Sequence, residues 1–187
     1  MKKALFIMLS AALIVCATVA GTLAWLTDTT DPVVNTFTVG DINITLTESK
    51  NLDLKMVPGR TITKDPKVTV KEGSEACWLF VKVVKSGNFD SFMTLKMADG
   101  WTLHKTEGNT EVYYREVAAT TADTDISVLK DNKVTVRDTV TKTMLEGVKN
   151  AEDGTPNEDA PTLTFTAYAV QKDGINDADT AWGKVTP

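Results

Sequence analysis

The chain has 187 residues, 42% of them apolar, with 20 Lys and Arg against 25 Asp and Glu and a single His. That length holds one domain with a full core. The net charge of −5 argues against nucleic acid and against electrostatic docking on anionic lipid. One His excludes the two-imidazole zinc site of an HExxH hydrolase.

Lys2 and Lys3 lead into residues 4–20, a run of 17 residues without charge. A positive start, an apolar centre and small residues at the end predict a helical secretory signal over 1–24. Thr22-Leu23-Ala24 supplies the small-x-small pattern that a signal peptidase pocket admits. Cleavage is therefore expected between Ala24 and Trp25, with Thr22, Ala24 and Trp25 forming the cleavage site. An uncleaved anchor is the alternative, because the run lies at the short limit of a membrane span. Cleavage would leave 163 residues with a charge of −7. Cys16 would leave with the signal and Cys77 would stay as an unpaired thiol, expected to be buried in its apolar context.

Residues 25–187 are expected to form a single domain. Its first part, 25–36, reads as an extended segment. Trp25, Leu26, Val33, Val34 and the following Phe37 are apolar anchors there, and Asp31-Pro32 interrupts any strand. Phe37, Val39, Ile42, Ile44 and Leu46 then alternate with polar Asn43, Thr45 and Thr47, which predicts a half-buried strand bent at Gly40-Asp41. Leu52, Leu54 and Met56 extend the period. Pro58-Gly59 is a turn. A strand follows over 67–71, and the apolar run 76–84 suits a central strand. Asp99-Gly100 carries the chemistry of a hairpin turn. Further strands are expected over 111–117, and over 126–129 and 134–136 on either side of Asp131-Asn132. Val140, Met144, Leu145 and Val148 at helical spacing predict a short helix over 139–149. Residues 150–161 read as an acidic loop. Leu163, Phe165, Ala167 and Ala169 alternate with Thr164, Thr166 and Tyr168 in a late strand. A final helical turn over 177–184 would lay Ala181 and Trp182 against the sheet. Eight or more short strands with one or two short helices predict an all-β, antiparallel β-sandwich.

Chemistry-bearing patterns are sparse. His104 lies in a strand with no nucleophile signature beside it, so it reads as a packing or surface residue. The acids at 152–159 and 173–179 do not match the spacing of a calcium loop. Trp78, Trp101 and Trp182 read as core or rim packing in place of a carbohydrate platform. No catalytic residues, no metal site and no cofactor are expected. No LPxTG motif occurs, so covalent attachment to a cell wall is not expected.

Three stretches together resemble the TasA/camelysin family of exported Gram-positive proteins. The first is GTLAWLTDT followed by NTFTVGDINITL. The second is VPGRTITKDPKVTVKEGSEACWLFVKV. The third is LTFTAYAVQKDGINDADTAWGKV. The resemblance covers nearly the whole chain and is weakest over 86–160. It implies a jelly-roll-like β-sandwich, export through the Sec route, and processing by a SipW-type signal peptidase. It implies a role outside the cell as a subunit of extracellular fibres or biofilm matrix at the cell surface, with other copies and other matrix proteins as partners; the absence of a catalytic set makes the expected protein non-enzymatic. Membrane contact would precede cleavage only. It also implies that the new N-terminal segment, with Trp25, Leu26, Val33, Val34 and Phe37, adds as a strand to the next subunit. Packing of that segment on its own sandwich is the competing expectation. The family resemblance further raises a camelysin-like metalloprotease, against which the single His and the missing HExxH speak. A monomeric surface adhesin is the third reading.

Overall fold

A computed structural model of the chain describes residues 41–49, 55–150, 155 and 157–185. The predicted signal segment, the cleavage site and the stretch 25–37 lie outside the described residues. The described residues belong to one compact unit that begins at Val39. Its strands are β1 (Ile44–Thr47), β2 (Thr61–Thr63), β3 (Lys67–Val70), β4 (Cys77–Lys85), β5 (Met93–Met97), β6 (Thr102–Glu107), β7 (Thr110–Val117), β8 (Thr124–Ser127), β9 (Leu129–Val136) and β10 (Leu163–Gln171). Its helices are α1 (Phe89–Phe92), α2 (Lys142–Gly147) and α3 (Ala178–Val185). The fold is all-β with a few short helices, and every strand pair is antiparallel.

The ladders run β1-β3-β8, β2-β9-β5 and β10-β4-β7-β6. The first two continue into each other. The Val128 N–H donates to the Pro66 carbonyl at 3.0 Å, and the Lys64 N–H to the Asn132 carbonyl at 2.9 Å. They form one layer, and the β10-β4-β7-β6 sheet forms the other. The facing sides share a core in which Val68, Val70, Ile126 and Val128 meet Cys77, Leu79, Val81 and Val83.

β4 explains why an apolar run here has no polar face. Cys77, Leu79, Val81 and Val83 enter the inter-layer core, while Trp78 and Phe80 point to the outer side. There α3 covers them with Ala181 and Trp182. Each such buried large side chain stabilises the fold by roughly 1.5–3 kcal/mol. A third cluster forms around β2, β5 and β9, closed by Phe89 and Phe92 of α1 and by Val140 and Val148 flanking α2. Thr141 caps α2, its Oγ1 accepting the Met144 N–H at 3.2 Å. Asp177 does the same ahead of α3, accepting the Thr180 N–H at 2.7 Å. That hydrogen bond holds the Asp177 carboxyl below its usual pKa.

Two sequence expectations are corrected. Asp99-Gly100 is a turn, with Gly100 at φ 92, but it makes no hairpin. β5 pairs with β9 and β6 pairs with β7, so this turn carries the chain from one layer to the other. A side chain at Gly100 would also meet the Arg115 guanidinium at 3.1 Å. The hairpin is at Gly108-Asn109, between β6 and β7, where Gly108 takes φ 57. Asp131-Asn132 does not separate two strands of one sheet. Both residues take φ 54 and form a bulge inside β9, and the break falls earlier, at Val128. The short strand expected over 126–129 therefore divides, its start in β8 and Leu129 in β9.

Candidate functional site: an open strand edge

Terminal strands of a sheet offer unpaired backbone groups, and proteins usually protect them with charge, bulges or brevity. β5 carries Lys96 and a register shift, and β6 carries His104, Lys105, Glu107 and another shift. β1 is four residues long and β2 three. β10 has none of these devices. Its nine residues, LTFTAYAVQ, contain no charge and no proline. They keep one register against β4 from Leu163↔Lys85 to Gln171↔Cys77.

The register also fixes which groups face outward. The Lys172 N–H donates to the Ala76 carbonyl at 2.8 Å and the Ser86 N–H to the Thr162 carbonyl at 3.0 Å. Hydrogen-bonded pairs alternate along an antiparallel ladder, so the even-numbered residues of β10 bond to β4. Leu163, Phe165, Ala167, Ala169 and Gln171 turn their N–H and C=O groups to the open edge. Among the described residues no strand pairs there.

The edge borders an apolar seam. β1 lies next to β10 on the opposite layer. The Lys71 N–H donates to the Asn43 carbonyl at 2.9 Å, which leaves the backbone groups of Ile44 and Leu46 facing away from β3. Ile42, Ile44 and Leu46 on one side and Phe165, Ala167 and Ala169 on the other all reach the inter-layer core while remaining half-buried. The outer face of β10 is occupied, with Tyr168 standing edge-on to Trp182 at 5.6 Å.

At the Leu163 end the seam opens into a groove of about 1020 Å³. Its walls include Met56, Ile62, Phe89, Met93, Leu145 and Leu163. Lys55, Lys64, Lys142 and Lys149 stand around it, with Glu146 the one acid among its lining residues. Lys64 also bonds Glu48 at 2.9 Å and sits 5.8 Å from the Phe165 ring.

The other residues singled out in the sequence are structural. His104 is packed among Phe80, Tyr114 and Trp182, with Nδ1 3.6 Å from Asp179 Oδ1. Cys77 is fully buried, and burial pushes its thiol pKa up to about 11. Trp78 is core, its indole N–H donating to the Ile175 carbonyl at 3.0 Å. Trp101 is rim, bonded to the Ser127 carbonyl and covered by Arg115. At the Lys85 end of β4, Glu111 accepts from Lys85 Nζ at 2.7 Å and from the Tyr113 hydroxyl at 2.8 Å. Burial raises the Glu111 pKa, but those hydrogen bonds outweigh it and hold the carboxyl below its usual range. Among the described residues no three His, Cys, Asp or Glu side chains cluster with metal-binding geometry. No helix among them is long and apolar enough to cross a membrane.

Of the predicted site residues, Thr22, Ala24, Trp25, Leu26, Val33, Val34 and Phe37 all lie outside the described residues. The receiving edge was not anticipated. Its signal was present as the absence of charge and proline across 163–171.

Comparison with protein-family models, curated proteins and solved structures finds no match to this chain.

Proposed function

We propose that this chain is a secreted, non-enzymatic structural protein, a subunit of extracellular fibres or biofilm matrix at the surface of a Gram-positive bacterium. On this reading a SipW-type signal peptidase cuts between Ala24 and Trp25. The freed segment, with Trp25, Leu26, Val33, Val34 and Phe37 as anchors, then adds as a strand to the next copy or to another matrix protein. The sandwich is of the jelly-roll-like kind that the family resemblance implies. The observation that carries the reading is the β10 edge: nine uncharged, unbulged residues with outward backbone groups above an apolar seam. A donor backbone would complete that ladder while its alternate side chains fill the seam. Head-to-tail addition of this kind does not close on itself, so it builds a filament. Before cleavage the signal would hold the segment at the membrane, which makes processing the trigger.

The test is to sequence the N-terminus of the exported protein and to sediment it. A start at Trp25 with pelletable filaments is expected. A start at Met1 in the membrane fraction would remove the trigger. Clean cleavage with only soluble monomer would favour an adhesin.

A further inference from the structure

The β10 edge sets two constraints on a strand that joins it. The first is parity. Leu163, Phe165, Ala167 and Ala169 turn their backbone groups to the open edge and their side chains to the inter-layer core. On an antiparallel partner the residues opposite them bond to β10 and also face the core. On a parallel partner the residues that face the core turn their backbone groups away, and their neighbours bond instead. Pro32 has no N–H, so within a ladder it takes a position that does not bond to β10. In an antiparallel ladder this sends Pro32, Val34 and Thr36 outward and brings Val33, Asn35 and Phe37 to the seam. In a parallel ladder Pro32, Val34 and Thr36 go to the seam, and Val33 and Phe37 are left in water. Only the antiparallel ladder suits the proline and the aromatic ring at once. The second constraint is where the N-terminal stretch outside the described residues ends. The Glu75 N–H donates to the Asp41 carbonyl at 3.0 Å, and the Lys172 N–H to the carbonyl of the adjacent Ala76 at 2.8 Å. The segment therefore enters the sandwich at the Gln171 end of β10.

We propose that the strand added at β10 runs antiparallel to it and comes from a second copy stacked end to end, with the Phe37 side of the segment at Leu163 and the Pro32 side toward Gln171. This rests on the strand-addition reading and adds to it the direction of the ladder, the residues that bond in it and the way the copies stack. A segment laid back along its own β10 from Asp41 would run parallel. An antiparallel strand along all nine residues of β10 ends at Leu163, about 27 Å from the Gln171 end. Phe37 is four positions before Asp41, a reach of about 14 Å at most, so its own chain cannot place it there. In a second copy the constraint disappears. The Gln171 end of the donor abuts the Leu163 end of the acceptor, and each copy keeps a free edge to offer, so the contact repeats without closing. A parallel exchanged strand would instead bring two Gln171 ends together and close as a pair.

The test places a photo-crosslinking amino acid at Thr164 in one variant of the full exported chain and at Gln171 in another, both exposed and at opposite ends of β10. Two preparations with different isotope labels are mixed before filaments form, and adducts are mapped by mass spectrometry. The expected result is adducts between copies, from Thr164 to residues 35–38 and from Gln171 to residues 29–33. The reverse order between copies overturns the antiparallel direction and leaves strand addition standing. Adducts within one copy, or none with the segment from either probe, overturn both. Proline substitutions read the bonding set without a probe. Asn35→Pro removes an N–H that the antiparallel ladder uses, and Thr36→Pro one that it does not. Sedimentation at equal amounts of folded protein should show Asn35→Pro weakening assembly roughly tenfold more than Thr36→Pro. An equal or opposite ranking overturns the direction.

Discussion

The alternation of bonded and open positions along β10 makes a sharp prediction for two neighbouring residues. Thr166 stands opposite Lys82 in the set that bonds to β4, and Ala167 belongs to the set that faces out. Proline at Thr166 would remove a donor from the internal ladder and leave the partner carbonyl unpaired, a loss of about 1–3 kcal/mol. The ring that replaces the N–H also pushes against the facing strand, which brings the total to the upper end of that range, about 3 kcal/mol. Proline at Ala167 removes an N–H that no described strand uses. Its cost is the strain of bringing an extended φ to −65°, about 1 kcal/mol. The gap of about 2 kcal/mol corresponds to roughly 4–8 °C in Tm for a chain of this size. Assembly should rank the other way for a given amount of folded protein. Ala167→Pro should weaken subunit addition about tenfold or more, since one ladder bond of about 1 kcal/mol is lost and the ring blocks the approach. Thermal unfolding followed by circular dichroism gives the first quantity and sedimentation of folded protein the second. Equal destabilisation by the two prolines would refute the assigned register. Normal filaments from Ala167→Pro would refute β10 as the receiving edge.

Trp182→Ala removes a side chain packed 5.1 Å from Phe80 and 5.6 Å from Tyr168, and should cost about 3–5 kcal/mol in urea unfolding. Cys77 should resist alkylation at pH 8 in the folded protein and react once urea unfolds it. Its folded pKa is raised, so its contribution to stability is complete below the unfolded value of 9.0 and is lost as pH climbs through about 11. Unfolding free energies measured across that window should decline less in Cys77→Ala. Glu111 has the opposite sign, because Lys85 and Tyr113 hold its folded pKa down despite burial. Its contribution is present above the unfolded value of about 4.3 and fades as pH falls through the folded one. Glu111→Gln should be less stable than the parent by about 1–3 kcal/mol at pH 7, with the difference shrinking below pH 4.

Most of the strand set was legible in the sequence because burial imposes a period of two. Ile44 and Leu46, and Leu163 through Ala169, alternate as their positions in the layers require. Helices α2 and α3 were legible from Val140, Met144, Leu145 and Val148 and from Ala181 and Trp182, which dock as expected, whereas α1 (Phe89–Phe92) was not read from the sequence. Pairing was not legible. Asp99-Gly100 has the same turn chemistry whether the next strand returns beside the last one or crosses to the facing layer. Asp131-Asn132 tolerates positive φ equally well in a loop and in a bulge. The edge status of β10 was hidden for a related reason. An uncharged strand reads as central, and only the pairing shows that, among the described residues, one side of it is bare.

β10 has a further consequence, for the order in which the chain can fold. β4 is the most deeply buried strand, and β10 pairs with it across a separation of 78 to 94 residues. A nascent chain emerging N-terminus first would therefore display β4 half-paired until most of the remaining sequence had followed. α3 comes later still, and until it docks Trp78 and Phe80 stay bare on the outer side. Contacts of such long range close slowly, and their unpaired precursors aggregate. Holding the chain unfolded until it is complete would shorten the time that β4 spends exposed.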